Sequence, residues 1–263
     1  MDTTAPTTRA IGALAGGDIA VWSLVVTILG DMARAPGQVI PGVTLTAITE
    51  AVGIKSQALR VALHRLRKDG WIASRRTGRE SVHFLTEEGR NKAAIAAQRI
   101  YDFDPPVSAL CHVAILPTQP QARRAPVETM LSERGYVSVA PGVFLGQEMP
   151  PTDDDMLIMS GQNPSLPAWV REVLLPDRVM RDYAAFEQAL STAQRALNGV
   201  TPGPIETMVL RSLIVHGWRR LVLRHPPLPD EVFSTEWRGP ACRELVRNLL
   251  DQLGKPPMGA AVV

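Results

Sequence analysis

Residues 44–86 read TLTAITEAVGIKSQALRVALHRLRKDGWIASRRTGRESVHFLT. Leu45, Ile48, Ala51 and Val52 recur at the spacing of one helical face. Gly53 then stands where a helix must end and the chain must turn sharply. Leu59, Ala62, Leu63 and Leu66 repeat the helical spacing and predict a second helix, with Ser56 as its N-cap. Residues 71–74 and 81–85 predict the two strands of a hairpin, joined by the polar turn Arg75-Arg76-Thr77-Gly78-Arg79.

Helix, tight turn, helix and basic hairpin are the outline of a winged helix-turn-helix. The charge fits that outline. Residues 55–79 carry Lys55, Arg60, Arg65, Arg67, Lys68, Arg75, Arg76 and Arg79, against the single acid Asp69. On the second helix Gln57, Arg60, Val61, His64 and Lys68 share the face opposite the leucines. A helix of about 14 residues spans roughly 21 Å, enough to lie in a major groove. Arg60 can donate two hydrogen bonds to a guanine and Gln57 can pair with an adenine. Arg75, Arg76 and Arg79 stand where a wing tip would meet phosphates or the minor groove. The candidate DNA-binding residues are therefore Lys55, Ser56, Gln57, Arg60, Val61, His64, Arg65, Lys68, Arg75, Arg76 and Arg79. Each piece alone is more simply a solvated face or an ordinary hairpin; order and close spacing carry the composite signal.

The whole chain is nearly neutral, +2 across 263 residues, so any DNA contact is confined to one patch. The length suggests two or three domains. Cys111 and Cys242 are far apart and belong to no CxxC or Cys/His cluster, which points to buried thiols in a reducing cytosol. The apolar run 19–29 is interrupted by Ser23 and Thr27 and is too short to span a bilayer; no signal peptide opens the chain. A cytoplasmic protein without a membrane partner is the expectation. No Ser-His-Asp order, GxSxG, phosphate-binding loop or dinucleotide fingerprint occurs, so no catalytic residue and no cofactor are assigned.

Working outward, residues 1–16 are predicted to be mobile, and Asp18 to cap a helix through Trp22, Leu24, Val25, Ile28 and Leu29. Pro36, Gly37, Pro41 and Gly42 read as a loop. Thr86 reads as the cap of a long helix that ends before Asp104-Pro105-Pro106. Beyond it, strand-like 110–116, helical 122–134, strand-like 136–139, 143–145 and 156–159, and helical 166–175 suit a small α+β layer fold. The remainder from Asp177 reads helical apart from the Pro-rich stretch 224–229, with a last helix over 241–253.

Two stretches carry a family resemblance. One is LRVALHRLRKDGWIASRRTGRESVHFLTEEGR, with Arg60, Arg65, Gly70, Trp71, Gly78, Arg79, Leu85, Thr86 and Gly89. The other is LIVHGWRRLVLRHPPLPDEVF followed by EWRGPACREL, with His216, Trp218, Arg219, Arg220, Leu228, Pro229, Trp237 and Gly239. On these the chain resembles the PaaX-type transcriptional repressors of bacterial phenylacetate catabolism. The resemblance implies an α+β multidomain protein: a winged helix-turn-helix over 1–104, a ferredoxin-like middle domain over 105–176, and a helical effector and dimerisation domain over 177–263. It also implies a homodimer on palindromic double-stranded operator DNA, released by phenylacetyl-coenzyme A or a related aryl-acyl-coenzyme A. Two positions depart from the pattern: Gly217 replaces the usual acid, and Gln57 a common basic residue.

For that effector the candidate site is His216, Trp218, Arg219, Arg220 and Arg224, with His225 beside them: arginines for phosphate oxygens and an indole to stack on adenine. The alternative is a core Trp218 with arginines in structural ion pairs. Asp153-Asp154-Asp155 has the chemistry of a divalent-metal site but reads as a solvated turn, so no metal is assigned. A metal-dependent nuclease on the middle segment is the competing function; the acid-free strand CHVAIL argues against it. His83 and His112 sit in strand-like runs without ligand-spaced partners and read as structural.

Overall fold

A computed structural model of the chain describes residues 5–78, 80–104, 110–151, 155–162, 166–224, 227–233 and 236–256. The fold is mixed α and β, with two small antiparallel sheets among the helices. Two compact units divide the chain: residues 1–103, 185–222 and 241–263 form the first, and residues 104–184 and 223–240 the second.

In the first unit α1 (Pro6–Leu14) replaces the mobile N-terminal segment expected from composition. Its first turn carries a proline, which fits there because that position's N–H has no helical partner anyway. The next helix, α2 (Val21–Met32), buries nine of its residues. Its N-cap is Ala20 and no side chain caps it, so Asp18 does not play that role. Instead the Asp18 carbonyl accepts a hydrogen bond from Arg220 at 3.4 Å. The expected 36–42 loop contains a short strand, β1 (Ile40–Pro41), and already gives way to α3 (Gly42–Ala51) at Gly42.

After α3 come α4 (Ser56–Lys68), β2 (Ile72–Thr77), β3 (Glu80–Leu85) and α5 (Glu87–Ile100). The strand order is β1-β3-β2, all antiparallel. Two corrections concern this segment. Ser56 is the first helical residue and Lys55 holds the N-cap position without a side-chain cap. Arg75 and Arg76 belong to β2, paired with Val82 and Ser81, so the strand runs on to Thr77 opposite Glu80 and the turn is shorter than expected.

The last helices of this unit are α9 (Pro204–Val222) and α10 (Gly239–Leu253). Of these, α9 packs against α1, α2, α3 and α5, and Val209 and Leu213 join the same core as Leu24, Ile28, Leu45, Ile48, Leu59, Leu63, Leu66 and Leu85. The helix-turn-helix segment thus shares its core with a helix more than a hundred residues downstream.

In the second unit β4 (Leu110–Ile115), α6 (Gln121–Glu133), β5 (Val137–Ala140), β6 (Val143–Gly146) and β7 (Leu157–Gln162) give an antiparallel sheet in the order β5-β6-β4-β7. Ala114, Leu131, Tyr136, Phe144 and Met156 form its core. There follow α7 (Ala168–Leu174) and α8 (Asp177–Ala196), within which the chain passes from the second unit to the first. Trp237 packs on Tyr183 and Phe233, at 4.4 and 5.1 Å between ring centroids, and its indole N–H donates to Asp230 at 2.7 Å. Among the described residues no helix is long and apolar enough to cross a membrane. Cys111 and Cys242 are both buried and belong to no disulfide.

Candidate nucleic-acid interface

Helices α3 and α4 end in the same way. Gly53 and Gly70 take φ of 77° and 72°, the left-handed region where a side chain is costly. Ile54 N–H donates to Thr49 O at 3.0 Å and Gly53 N–H to Glu50 O at 2.9 Å. Correspondingly, Trp71 N–H donates to Leu66 O at 2.9 Å and Gly70 N–H to Arg67 O at 3.2 Å. Each is a Schellman closure, which satisfies carbonyls that a helix end otherwise leaves bare.

The closure of α4 is tied directly to the start of α5. Thr86 caps α5 by accepting from Gly89 N–H at 3.0 Å, and its hydroxyl donates to Gly70 O. Thr86 N–H donates to Trp71 O at 3.1 Å. Gly89 lies so close that a Cβ there would stand 2.1 Å from Trp71 O. This explains physically why Thr86 and Gly89 occur where they do: they clamp the hairpin between two helices.

Against this frame α4 has two distinct faces. Leu59, Ala62, Leu63 and Leu66 are buried; Gln57, Arg60, Val61, His64 and Lys68 are exposed, together with Lys55, Ser56 and Arg65. Val61 is 61% exposed, an apolar side chain facing solvent in the middle of a polar helix face. Arg65 is partly engaged: it pairs with Asp69 at 3.5 Å and lies over the Trp22 ring at 5.4 Å. Such an exposed pair contributes little to stability.

Strand alternation separates the hairpin arginines, because partners across a ladder share a face and neighbours along a strand do not. Arg76 shares a face with Ser81, Ser74 and His83; Arg75 shares the other with Val82. Ser74 on the first face meets Arg67 of α4 at 3.4 Å and His83 at 2.8 Å. Arg76 is therefore on the side of the hairpin that addresses α4. Burial, and then the charge of Arg67, push the His83 imidazole below its ordinary range, which favours its neutral form beside that guanidinium. Arg75 and Arg76 are both exposed, and Arg79 lies outside the described residues.

Four of the five residues assigned to an effector lie on α9, and they do not form one open surface. His216 and Trp218 are buried at 3% and 1% exposure, so the indole has no open face for an adenine. Trp218 is a core residue whose N–H donates to Ile100 O at 2.8 Å. Arg219 donates to Ser23 and Thr27 hydroxyls at 3.2 and 3.3 Å. Arg220 reaches Asp18 O. Arg224 is exposed and belongs to the second unit, whereas the other four belong to the first. His225 falls outside the described residues, as do Asp153 and Asp154 of the acidic run. Gly217, the departure from the family pattern, packs under Phe186: a Cβ would stand 2.4 Å from that ring.

Sequence reading missed a buried polar centre. Arg211 on α9 grips Asp31 on α2 with two bonds, Nε to Oδ2 at 2.6 Å and Nη2 to Oδ1 at 3.0 Å, and Tyr101 also donates to Asp31. Burial, then the Asp31 charge, hold the Tyr101 hydroxyl far above its ordinary range. The signal is an acid and an arginine each set in an apolar run, Asp31 after Ile28-Leu29 and Arg211 after Val209-Leu210, and nothing in the sequence says that they meet.

Comparison with known proteins agrees with this frame. The PaaX-like protein model matches residues 20–89, and the PaaX-like protein C-terminal domain model matches residues 176–258. The transcriptional repressor PaaX of Escherichia coli (strain K12) is 25% identical over 254 residues, covering 88% of this chain and 79% of that protein. The solved structure of an uncharacterized protein from Mycobacterium tuberculosis superposes with a TM-score of 0.52 at 18% identity, covering 88% of this chain and 94% of that one, a likeness of fold alone. With its two models matching at both ends of the chain and together spanning more than half of it, this chain belongs to the PaaX-like protein family.

Proposed function

We propose that the chain is a DNA-binding transcriptional repressor, with α3, α4 and the β2–β3 hairpin acting as a winged helix-turn-helix. The observation that carries this is the two-faced α4. Four apolar side chains anchor it, while Gln57, Arg60, Val61, His64 and Lys68 stand free on the outside and Arg76 extends the cationic surface from the hairpin. In this reading Arg60 and Gln57 read base edges, Val61 meets a thymine methyl, and Lys55, Ser56, Arg65, Lys68, Arg76 and Arg79 address phosphates. Arg75, on the opposite hairpin face, contributes through its charge and less through contact.

The finer parts of the reading rest on the family resemblance of the sequence; the name of the Escherichia coli relative supports only a transcriptional repressor. They are a homodimer on a palindromic operator, control of an aromatic-acid operon of the phenylacetate type, and release by an aryl-acyl-coenzyme A. The three functional segments 1–104, 105–176 and 177–263 belong to the same proposal. The strand order β5-β6-β4-β7 supports a ferredoxin-like middle fold, with no described helix between β6 and β7.

Selection of preferred duplexes from a random pool, followed by titration of variants, tests this. Arg60→Ala should flatten the preference between the selected and a scrambled duplex, whereas Arg76→Ala should weaken both about equally. Equal loss on both duplexes for Arg60→Ala removes its base-reading role. The absence of any enriched sequence would refute the proposed function.

A further inference from the structure

The recognition helix α4 has two flanks, and a different element stands on each. Arg65 and Arg67 are two residues apart, about 200° of rotation, so they leave opposite sides of the outer face that carries Gln57, Val61, His64 and Lys68. Arg67 reaches the hairpin, where its Nη1 donates to Ser74 Oγ at 3.4 Å. Arg65 reaches the other way, towards α2, which packs directly on α4. Its guanidinium carbon lies 5.4 Å from the centre of the Trp22 ring. The outer face of α4 is thus bracketed by the hairpin on one side and by the first turn of α2 on the other.

Trp22 stands apart from the rest of its helix. Nine of the twelve residues of α2 are buried, and Trp22 is the one that is exposed. A single exposed apolar side chain is ordinary on a protein surface. What distinguishes this one is the cation over it and the place of that cation. Val61, one turn before Arg65 on the same stripe of α4, is exposed as well. Val61, the guanidinium and the indole therefore succeed one another from the outer face to α2. An aromatic ring takes only the face of a guanidinium and leaves its N–H edge free for an acceptor. The Asp69 carboxylate, 3.5 Å from Arg65 Nε, is the other partner. That ion pair is exposed and weak, so a phosphate oxygen can replace it, whereas it cannot replace the ring.

We propose that Trp22 is a positioning residue for the DNA backbone. It fixes Arg65 so that a phosphate on the side of α4 away from the hairpin meets guanidinium N–H groups already aimed at it. This rests on the proposed DNA-binding function and deepens it, because it gives the duplex a second grip. Arg76 takes the backbone on the hairpin side, and Arg65 on its aromatic support takes it on the α2 side. A free arginine must give up rotamer freedom when it binds; one held over a ring has given it up beforehand. The contact carries charge and reads no base edge, so it strengthens binding to every sequence alike.

Titration of duplex into the full chain, followed by anisotropy, tests this with Trp22→Ala, Trp22→Phe, Arg65→Met and the double variant Trp22→Ala with Arg65→Met. Arg65→Met should weaken the selected and the scrambled duplex alike, roughly tenfold, and reduce the logarithmic salt slope by about 0.9, the loss of one phosphate contact. Trp22→Ala should weaken both roughly three- to fivefold, the range of an exposed cation–π contact. Trp22→Phe keeps an aromatic face and should lie within about twofold of wild type. In the Arg65→Met background the ring has nothing left to hold, so adding Trp22→Ala should cost less than about twofold. A ring that only supports the fold gives a different pattern: the loss persists at full size without Arg65 and follows the thermal midpoint. That pattern, an unchanged affinity in Trp22→Ala, or a Trp22→Phe as weak as Trp22→Ala overturns the proposal. Acrylamide quenching gives a separate reading. Saturating duplex should shield tryptophan emission more in wild type than in Trp22→Phe, and equal shielding overturns the place of Trp22 beside the bound backbone. A wild-type chain that binds duplex while these variants match it refutes only the grip at α2. One that binds no duplex refutes the DNA-binding function, and the grip with it.

Discussion

Arg211→Met removes one partner from the most deeply buried charge pair in the first unit. The side chains of Arg211 and Asp31 are 4% and 0% exposed. Methionine keeps most of the volume, so packing changes little, but Asp31 loses both guanidinium bonds and keeps the Tyr101 hydroxyl as a donor. Arg211 Nη1 also donates to Gly254 O at 3.0 Å; that carbonyl belongs to an exposed residue and can turn to water. The dominant cost is therefore the stranded carboxylate, about 3–5 kcal/mol for breaking one side of a buried pair. Against a total of about 5–15 kcal/mol for a folded domain, this is a large share. With a urea slope of about 2 kcal/mol per molar, the unfolding midpoint should fall by about 2 M.

Urea denaturation followed by circular dichroism and tryptophan emission measures this, with Trp218 buried in the affected core. The double variant Asp31→Leu with Arg211→Met removes both charges and should recover most of the loss, since a buried ion pair exchanged for apolar groups is often neutral. A single-variant loss below about 1 kcal/mol, or a double variant no more stable than Arg211→Met, would refute the view that this pair is a desolvated lock between α2 and α9.

Three further outcomes are expected. Gly89→Ala should cost at least about 2 kcal/mol, because its Cβ would stand 2.1 Å from the Trp71 carbonyl and only backbone could yield; Gly12→Ala, with nothing within 4 Å, should be neutral or slightly stabilising, and thermal denaturation of both checks the contrast. Burial, with the charges of Arg220 and then Arg219, pushes His216 down to about 4 from an ordinary 6.5, so between those values the unfolded chain binds the extra proton and stability falls as pH drops; His216→Gln should remove up to about 3 kcal/mol of that dependence, and identical pH profiles for wild type and variant would contradict it. If the proposed dimer makes about four phosphate contacts per protomer, its affinity for its preferred duplex should fall with salt at a logarithmic slope of about −7, and a slope near zero measured by anisotropy would be incompatible with the α4 and hairpin surface.

Local periodicity revealed the elements, and single residues revealed their ends. Gly53 and Gly70 mark helix closures and Thr86 a helix start because each acts within a few residues of itself. The same locality explains the errors. Arg75 and Arg76 read as a turn because charge in a short polar run outweighs pairing, yet Val82 and Ser81 opposite them extend the strand. A proline-rich stretch masked β1, whose two residues exist only by pairing with Val82 and His83 from a distant segment. Asp18 has the right type for a cap, but the helix starts later.

The surroundings of the effector candidates were hidden for a related reason. A run of His, Trp and Arg on a helix reads as a polar site when the helix is imagined alone. Placed against α2 and α5, the same residues face inward: Trp218 finds Ile100 O, Arg219 finds Ser23 and Thr27, and His216 becomes a neutral core imidazole within 3.4 Å of the Thr27 hydroxyl. Arg34, Arg90 and Lys255, which line one open groove of the first unit, are spread over more than two hundred positions. No window of sequence contains them together. Surfaces built from one helix and its hairpin are legible in a chain, while cavities assembled from the two ends of it are not.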